Sequence, residues 1–165
     1  MDLIIVNPGT RQKGSFSEHL GILSLSAFTR SKGYKVEAVD MALENLTIED
    51  ASTYILDKPP KVVGVSLLDN TKTKGLALIR KLRRSGYRGQ IVVGGYFATF
   101  SAGEILRDFS EVDFVVRGEG EITLVELLDY LTGKSPKNIE DIQGLSFRKL
   151  DKIYENEARP LIKDL

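Results

Sequence analysis

Five short apolar runs rich in β-branched residues recur along the chain, and a segment with helical spacing follows each of them. Apolar runs of this kind are typical of strands buried on both faces, and intervening helices are typical of the crossovers in a parallel sheet. The pattern predicts a doubly wound α/β domain with a parallel five-stranded sheet in the flavodoxin-like, Rossmann-like order 2-1-3-4-5. The expected strands are Leu3–Val6, Lys35–Val39, Val62–Val65, Gln90–Val93 and Phe114–Val116.

The alternation of strands and helices stops near residue 135, where we place the end of the α/β domain (1–135). Residues 136–165 begin as a linker and continue as two alternating segments around Leu150–Asp151, which predicts a C-terminal hairpin extension. A two-stranded hairpin is marginally stable alone, so we expect it to pack on its own domain or on a neighbouring copy. Deletion of residues 139–165 is expected to leave a folded domain.

Composition excludes several classes of function. The 23 basic and 23 acidic side chains give zero formal charge, so no global field attracts nucleic acid or an anionic membrane. The chain has no Cys and one His, which argues against disulfides, iron–sulfur ligation and any metal site built from its own side chains. No apolar run is long enough for a signal peptide or a membrane span, and we expect a cytoplasmic protein.

The loop after the first strand is long for a strand-to-helix connection and begins with the candidate residues Asn7, Gly9 and Thr10. Ligands of doubly wound domains bind at the carboxyl ends of the strands, which favours a binding role for this loop over a Gly- and Ser-rich surface excursion. It lacks the G-x-G-x-x-G and P-loop patterns, so neither a dinucleotide site nor a nucleoside triphosphate site is predicted.

Three further loops place small and hydroxyl-bearing residues at the same edge of the sheet. A Gly pair directly after a strand lets a bulky ligand approach the backbone, and a nearby hydroxyl offers a hydrogen bond to a buried ligand tail. The loop after the fifth strand alternates Gly and Glu, and for its last acid, Glu121, a helix-start role is the structural alternative. The candidates in these loops are Ser66, Leu67, Leu68, Asp69, Thr71, Gly94, Gly95, Tyr96, Thr99, Gly118, Glu119 and Gly120.

Two strings at this spacing carry a resemblance to a known family. Val92–Thr99 (VVGGYFAT) followed by Asp113–Glu121 (DFVVRGEGE) resembles the cobalamin-binding domain that precedes the radical S-adenosylmethionine core in a large family of enzymes. The region Leu20–Asp40 looks like the first helix and second strand of that domain. The tail from Ile142 to Ile162 is similar to the segment that leads into the radical core. The resemblance spans nearly the whole chain.

The resemblance implies that the domain binds cobalamin, with the nucleotide tail between the sheet and the loops after strands 3 and 4. Gly64–Leu68 and Gly94–Gly95 resemble two of the three segments with which the methionine synthase type of domain holds the tail. The third segment, Asp-x-His-x-x-Gly, is absent, and Ser17 stands two residues before His19. The expected cobalamin state is therefore base-off and His-off, with His19 serving at a helix start or in loop packing.

A radical enzyme of this family binds its 4Fe-4S cluster and S-adenosylmethionine through a Cys-x-x-x-Cys-x-x-Cys motif, and this chain has no Cys. The resemblance therefore implies a chain that is not catalytic alone. It would position cobalt for methyl transfer or related radical chemistry, of the methyltransferase or cyclase type, performed by a downstream radical domain of the same longer chain. A stand-alone corrinoid carrier is the alternative.

Two interpretations from other classes use the same fold. A phosphoacceptor receiver domain needs acidic residues after the first strand and an Asp at the end of the third, where Asn7 and Ser66 stand; Asp69 comes three residues too late. An interaction module could use the basic third helix to dock an acidic part of the parent enzyme. The charges of that helix also fit an ordinary solvated face, because Leu76, Ile79 and Leu82 supply its apolar side.

Overall fold

The computed structural model describes residues 1–9 and 19–162. The five predicted strands are β1 (Leu3–Asn7), β2 (Val36–Asp40), β3 (Val62–Ser66), β4 (Gln90–Gly94) and β5 (Phe114–Val116). They are parallel and lie in the predicted order β2-β1-β3-β4-β5. The fold class and the parallel core of the sheet are thus confirmed.

Helices cover both faces of this sheet. They are α1 (Leu20–Ser31), α2 (Ile48–Asp57), α3 (Lys72–Arg84), α4 (Tyr96–Phe100), α5 (Ala102–Asp108) and α6 (Gly120–Leu131), followed by a 3₁₀ turn at Ile139–Asp141. One core lies between the sheet and α2 to α5, and the other lies between the sheet and α1 and α6. At the start of α2, Thr47 and Asp50 form a reciprocal capping box that satisfies two backbone donors.

Strand alternation decides which residues face the α1/α6 side. In β1, Leu3 and Ile5 join the core under α1 and α6, while Ile4 and Val6 join the opposite core. In β3, Val62 lies on the α1/α6 side, so Gly64 and Ser66 follow it on that face. The carboxyl end of β3 therefore presents almost no side-chain bulk to α1 and α6.

The predicted hairpin forms, but it extends the sheet rather than packing on it as a separate element. Strand β6 (Leu145–Lys149) pairs antiparallel with β5, and β7 (Lys152–Glu155) pairs antiparallel with β6. The five-stranded sheet is thereby corrected to a seven-stranded mixed sheet. The physical reason is that the free edge of β5 offers unpaired backbone groups, which β6 satisfies.

The hairpin turn lies where the sequence places it, since Leu150 and Asp151 have φ values of 48° and 61°. Two consecutive positive φ values match the right-handed twist of the flanking strands. The hairpin also contributes to the α1/α6 core, because Leu145 is 0% and Phe147 is 1% exposed. Within residues 1–9 and 19–162, no helix combines the length and apolar character that crossing a membrane requires.

Candidate functional site

A cavity of about 280 Å³ opens at the carboxyl ends of β3 and β4, on the α1/α6 side of the sheet. Its floor consists of Gly64, Ser66 and Gly94, and the last two are register neighbours on adjacent strands. A Cβ atom built on Gly64 would find its nearest neighbour 3.8 Å away, which is ordinary contact distance. Because the floor residues have no side chain or a small one, the cavity has room for a ligand. We call this cavity the tail slot.

The walls of the tail slot come from the first two turns of α1 and α6. The two helices approach closely, since a Cβ atom on Gly120 would lie 3.1 Å from Cδ2 of Leu25. The deep end is apolar, and the mouth is formed by the loops after β4 and β5. The deep end is lined by Ile5, Ile22, Leu25, Val92 and Leu124, and the mouth by Gly95, Tyr96, Gly118 and Glu119.

Gly95 forms the sharp turn at the mouth, with a φ of 92°. A Cβ atom at this position would lie 2.8 Å from the carbonyl oxygen of Leu67. The surrounding backbone is fixed, because the amide of Leu67 donates to the carbonyl of Gly94 at 2.7 Å and the amide of Phe97 donates to the carbonyl of Leu67 at 3.0 Å. The backbone itself therefore requires Gly at position 95.

Two aromatic side chains extend from α4 beside the mouth. Tyr96 is 75% and Phe100 is 78% exposed, and their ring centroids are 5.5 Å apart. Tyr96 also lines the tail slot. The rim of the slot thus carries an aromatic surface that faces solvent.

Glu121 is an acidic side chain in the wall of the tail slot. It is 7% exposed, and one of its carboxylate oxygens accepts a hydrogen bond from the hydroxyl of Ser24 at 2.8 Å. It lies in the first turn of α6, where the positive end of the helix dipole favours a carboxylate. The helix-start role that the sequence allows for Glu121 is compatible with this position, and the residue also faces the slot.

The segment after β7 runs back toward the mouth of the tail slot. The amide of Gly144 donates to the carbonyl of Glu157 at 2.7 Å, and Nε of Arg159 donates to the hydroxyl of Thr123 at 2.8 Å. Finally, the amide of Ile162 donates to the carboxylate of Glu119 at 2.5 Å. These contacts place the last described residues beside the loop after β5.

The structure brings together more than half of the candidate residues predicted from the sequence. Those that line the tail slot are Ser66, Leu68, Gly94, Gly95, Tyr96, Gly118, Glu119 and Gly120.

The other candidates lie near this edge without lining the slot. Leu67 is fully buried in the opposite core, and Asp69 is paired with Lys72 at 2.6 Å. The hydroxyl of Thr71 accepts the amide of Leu68 at 3.0 Å. The hydroxyl of Thr99 donates to the carbonyl of Gly95 and accepts the amide of Gly118, which belong to the two loops of the mouth.

At the end of β1, the side-chain amide of Asn7 donates to the carboxylate of Asp40 at 3.1 Å, while its carbonyl oxygen accepts the amide of Gly9. These bonds connect the first loop to the end of β2 rather than to the tail slot. Thr10 lies outside the described residues.

His19 is found at the start of α1, one of the two places expected for it. Its Nδ1 accepts the amide of Ile22 at 3.3 Å, and the ring lines the mouth side of the slot. Several wall residues were missed by sequence reasoning, among them Gly21, Ile22, Leu25 and Leu124. A Gly among the first two residues of a helix that starts at the carboxyl edge, as in Gly21 and Gly120, is the signal that could have identified the walls.

Comparisons with known proteins identify the family and the fold. The B12 binding domain family matches residues 11–128. An uncharacterized methyltransferase of Pyrococcus horikoshii is 28% identical over 170 residues, which is all of this chain and 36% of that protein. An anaerobic magnesium-protoporphyrin IX monomethyl ester cyclase of Synechocystis is 28% identical over 172 residues, again all of this chain and 34% of that protein. The chain thus spans about a third of the length of these relatives.

Solved structures share the fold. The cobalamin-dependent S-adenosylmethionine radical enzyme OxsB with aqua-cobalamin bound superposes with a TM-score of 0.82 at 23% identity, over 97% of this chain and 22% of that one. The radical S-adenosylmethionine methyltransferase TsrM from Kitasatospora setae, with cobalamin and a [4Fe-4S] cluster bound, gives 0.77 at 19% identity, over 99% of this chain and 30% of that one. Because the family match covers well over half of its length, the chain belongs to the B12 binding domain family.

Proposed function

We propose that the tail slot receives the nucleotide tail of cobalamin, with the corrin ring lying outside it at the carboxyl edge of the sheet. The observation that carries this proposal is the floor of Gly64, Ser66 and Gly94, which leaves an open groove between a sheet and two helices. Pockets for whole small molecules have volumes of roughly 300–1,000 Å³. At about 280 Å³, the slot suits a tail rather than a complete corrinoid.

The chemistry of the lining also fits a nucleotide tail. The apolar deep end suits a flat aromatic base, and the hydroxyl of Ser66 on the floor can bond to a polar group of the tail. Gly95 has no side chain, so its turn leaves room at the mouth of the slot, where the tail would join the ring. We propose that the remaining candidates act from the loops around the ring, Leu67 and Thr71 by holding the loop after β3 in place.

We further propose that cobalamin binds base-off and His-off. A base held between Val92 and Leu124 would be directed into the domain and away from the ring. Nδ1 of His19 is used in the first turn of α1, which supports a structural role for this side chain. The His19→Ala variant is expected to leave the spectrum of bound cobalamin unchanged. A nitrogen signal in electron paramagnetic resonance of the cob(II)alamin form that is lost in His19→Ala would contradict the proposal.

At the level of the whole protein, we propose that this chain is the cobalamin module of a radical S-adenosylmethionine enzyme of the methyltransferase or cyclase type. One of the two curated relatives is named a methyltransferase and the other a cyclase, and both are about three times as long as this chain. The structural neighbours OxsB and TsrM are the proteins described as radical S-adenosylmethionine enzymes. Bound cobalamin would supply a cobalt centre that accepts and donates a methyl group. The chain contains no Cys, so the ligands of a 4Fe-4S cluster must come from residues outside it. Residues 136–165, whose strands β6 and β7 complete the sheet of this domain, would lead on toward that radical part.

Reconstitution tests the binding proposal directly. The purified protein is mixed with hydroxocobalamin at neutral pH, freed of excess by gel filtration, and examined by visible spectroscopy. We expect about one equivalent of retained cobalamin with a base-off spectrum. Absence of retained cobalamin would overturn the proposed binding function, and a base-on spectrum would overturn the placement of the tail in the slot.

A further inference from the structure

Glu121 has an environment that its helix-start role does not explain. The residue is 7% exposed in the wall of the tail slot, and within the part of the chain that the structure describes its carboxylate accepts one hydrogen bond, from the neutral hydroxyl of Ser24 at 2.8 Å. A buried carboxylate is costly unless hydrogen bonds compensate for its lost hydration. Glu104 serves as a comparison, because it occupies the first turn of α5 as an exposed residue. A carboxylate that only complements a helix dipole needs no cavity in front of it.

The height of Glu121 in the slot indicates which part of the tail it would meet. It comes directly after Gly120 at the mouth, and Leu124, one turn further along α6, lines the apolar deep end. The link between the corrin ring and the terminal base includes an aminopropanol unit, then a phosphate and then a ribose. With the base at the deep end, as proposed, the ribose would lie at the level of the first turn of α6. A carboxylate repels phosphate and accepts hydrogen bonds from hydroxyl groups.

We propose that Glu121, held by Ser24, accepts a hydrogen bond from a ribose hydroxyl of the tail and makes the site selective for corrinoids that carry the nucleotide. This inference rests on the proposed function. It assigns a specificity-determining role to the carboxylate, with Ser24 as its positioning residue. Cobinamide, a corrinoid that lacks phosphate, ribose and base, cannot make this hydrogen bond.

The test compares the affinities of the full chain for hydroxocobalamin and for cobinamide, measured by visible titration. In the unmodified protein, cobalamin is expected to bind more tightly than cobinamide. Glu121→Gln should weaken cobalamin binding about fivefold or more and leave cobinamide binding unchanged. Glu104→Gln, which makes the same chemical change outside the slot, should alter neither affinity.

Ser24→Ala provides a second variant that keeps the carboxylate and removes only its hydroxyl partner. Because Ser24 is exposed, this variant should fold normally and show a smaller loss, again confined to cobalamin. The inference would be overturned if a variant lost affinity for both corrinoids equally. It would also be overturned if Glu121→Gln and Ser24→Ala both kept the cobalamin affinity of the unmodified protein. If the unmodified protein prefers cobalamin and Glu121→Gln changes neither affinity, the inference fails while the proposed function stands. If the unmodified protein binds the two corrinoids equally, the proposed placement of the tail fails as well, and if it binds neither, the proposed binding function fails.

Discussion

The hydroxyl oxygen of Thr99 lies 3.0 Å from the backbone nitrogen of Gly118, whose N–H it accepts. The same hydroxyl donates to the carbonyl of Gly95, also at 3.0 Å. One side chain on α4 therefore fastens the loop after β4 to the loop after β5. These loops form the two sides of the slot mouth, so Thr99 joins the two sides without lining the slot.

Replacing Thr99 by Val keeps the shape of the side chain and removes both hydrogen bonds. We expect unfolding free energy to fall by about 1 kcal/mol and cobalamin affinity to fall several-fold, because the mouth loops lose their connection. Thr99→Ser retains the hydroxyl and is the matched control. Urea denaturation and cobalamin titration measure the two effects. Unchanged cobalamin affinity in Thr99→Val would show that the connection has no role in binding.

Gly64→Val fills the tail slot from its floor. A valine fits a buried strand, and its Cβ atom has ordinary contact distances to its neighbours, so the fold should tolerate it. We expect retention of cobalamin after gel filtration to be lost while the melting temperature stays near that of the parent. Gly64→Ala, which adds one carbon, should give an intermediate loss. A Gly64→Val protein that retains cobalamin as well as the parent would place the tail elsewhere.

A side chain at position 95 is expected to lower the stability of the fold itself, apart from any effect on cobalamin binding. Its φ of 92° and the 2.8 Å approach to the carbonyl of Leu67 make any Cβ atom unfavourable. Gly95→Ala should therefore lower the unfolding free energy by about 1–3 kcal/mol. Gly94→Ala is the neighbouring control, since its Cβ atom would have 3.4 Å to the carbonyl oxygen of Val116. Equal denaturation midpoints for the two variants would contradict this account.

Phe147 shows that the hairpin belongs to the core. It is 1% exposed, and its ring is stacked on that of Tyr154 with centroids 5.3 Å apart. Phe147→Ala should cost about 3–5 kcal/mol of unfolding free energy. Leu161→Ala is the control. Leu161 is 75% exposed, so this variant should change the unfolding free energy little.

The same contacts reverse the expected outcome of deleting residues 139–165. Removal of β6 would uncover β5 and take Leu145 and Phe147 out of the α1/α6 core. We now expect the shortened chain to be unstable or aggregated, as measured by circular dichroism and gel filtration. A shortened chain that melts cooperatively near the temperature of the parent would restore the domain boundary at residue 135.

Tyr34 connects the loop after α1 to the end of α6 by donating its hydroxyl proton to Asp129 at 2.5 Å. Burial and the bond to Asp129 raise the pKa of Tyr34 from 10.0 to about 12. The folded state thus keeps the neutral phenol, so this stabilisation is complete below pH 10 and is lost as pH rises toward 12. Tyr34→Phe should lower stability at neutral pH and flatten its decline in that alkaline range.

Denaturation series at fixed pH values measure this effect, with Tyr130→Phe on the exposed side of α6 as the control for the substitution. If Tyr34→Phe loses stability between pH 10 and 12 as steeply as the parent, the hydroxyl of Tyr34 does not cause the decline.

Sequence reasoning found the parts of the structure that depend on local patterns. The apolar runs predicted the five parallel strands, and the residues around Leu150–Asp151 predicted the hairpin turn. The pairing of β6 with β5 was missed because strand partners distant in sequence leave no local signal. The direction of Leu67 was also missed, because the strand-to-loop transition decides which core receives it.

For the site, residues that directly follow strands were predictable, such as Ser66 and Gly94. Glu121 was noticed only as a helix-start residue, since its exposure to the slot depends on how closely α1 and α6 approach each other. A Cβ atom on Gly120 would lie 3.1 Å from Leu25, and this tertiary relationship is one that neither residue reveals by itself.

The glycine floor of the slot also bears on how the protein folds. In an ordinary sheet, side chains at Gly64 and Gly94 would fill the space beneath α1 and α6, and here residues 1–9 and 19–162 leave about 280 Å³ of it open. A ligand in that space completes an unfinished hydrophobic core. Its binding energy then becomes conformational stability, worth roughly 2.7 kcal/mol at a free concentration 100 times Kd. If cobalamin occupies the slot as proposed, its supply would govern how long the chain survives proteolysis, and loss of the protein would be the first effect of corrinoid scarcity.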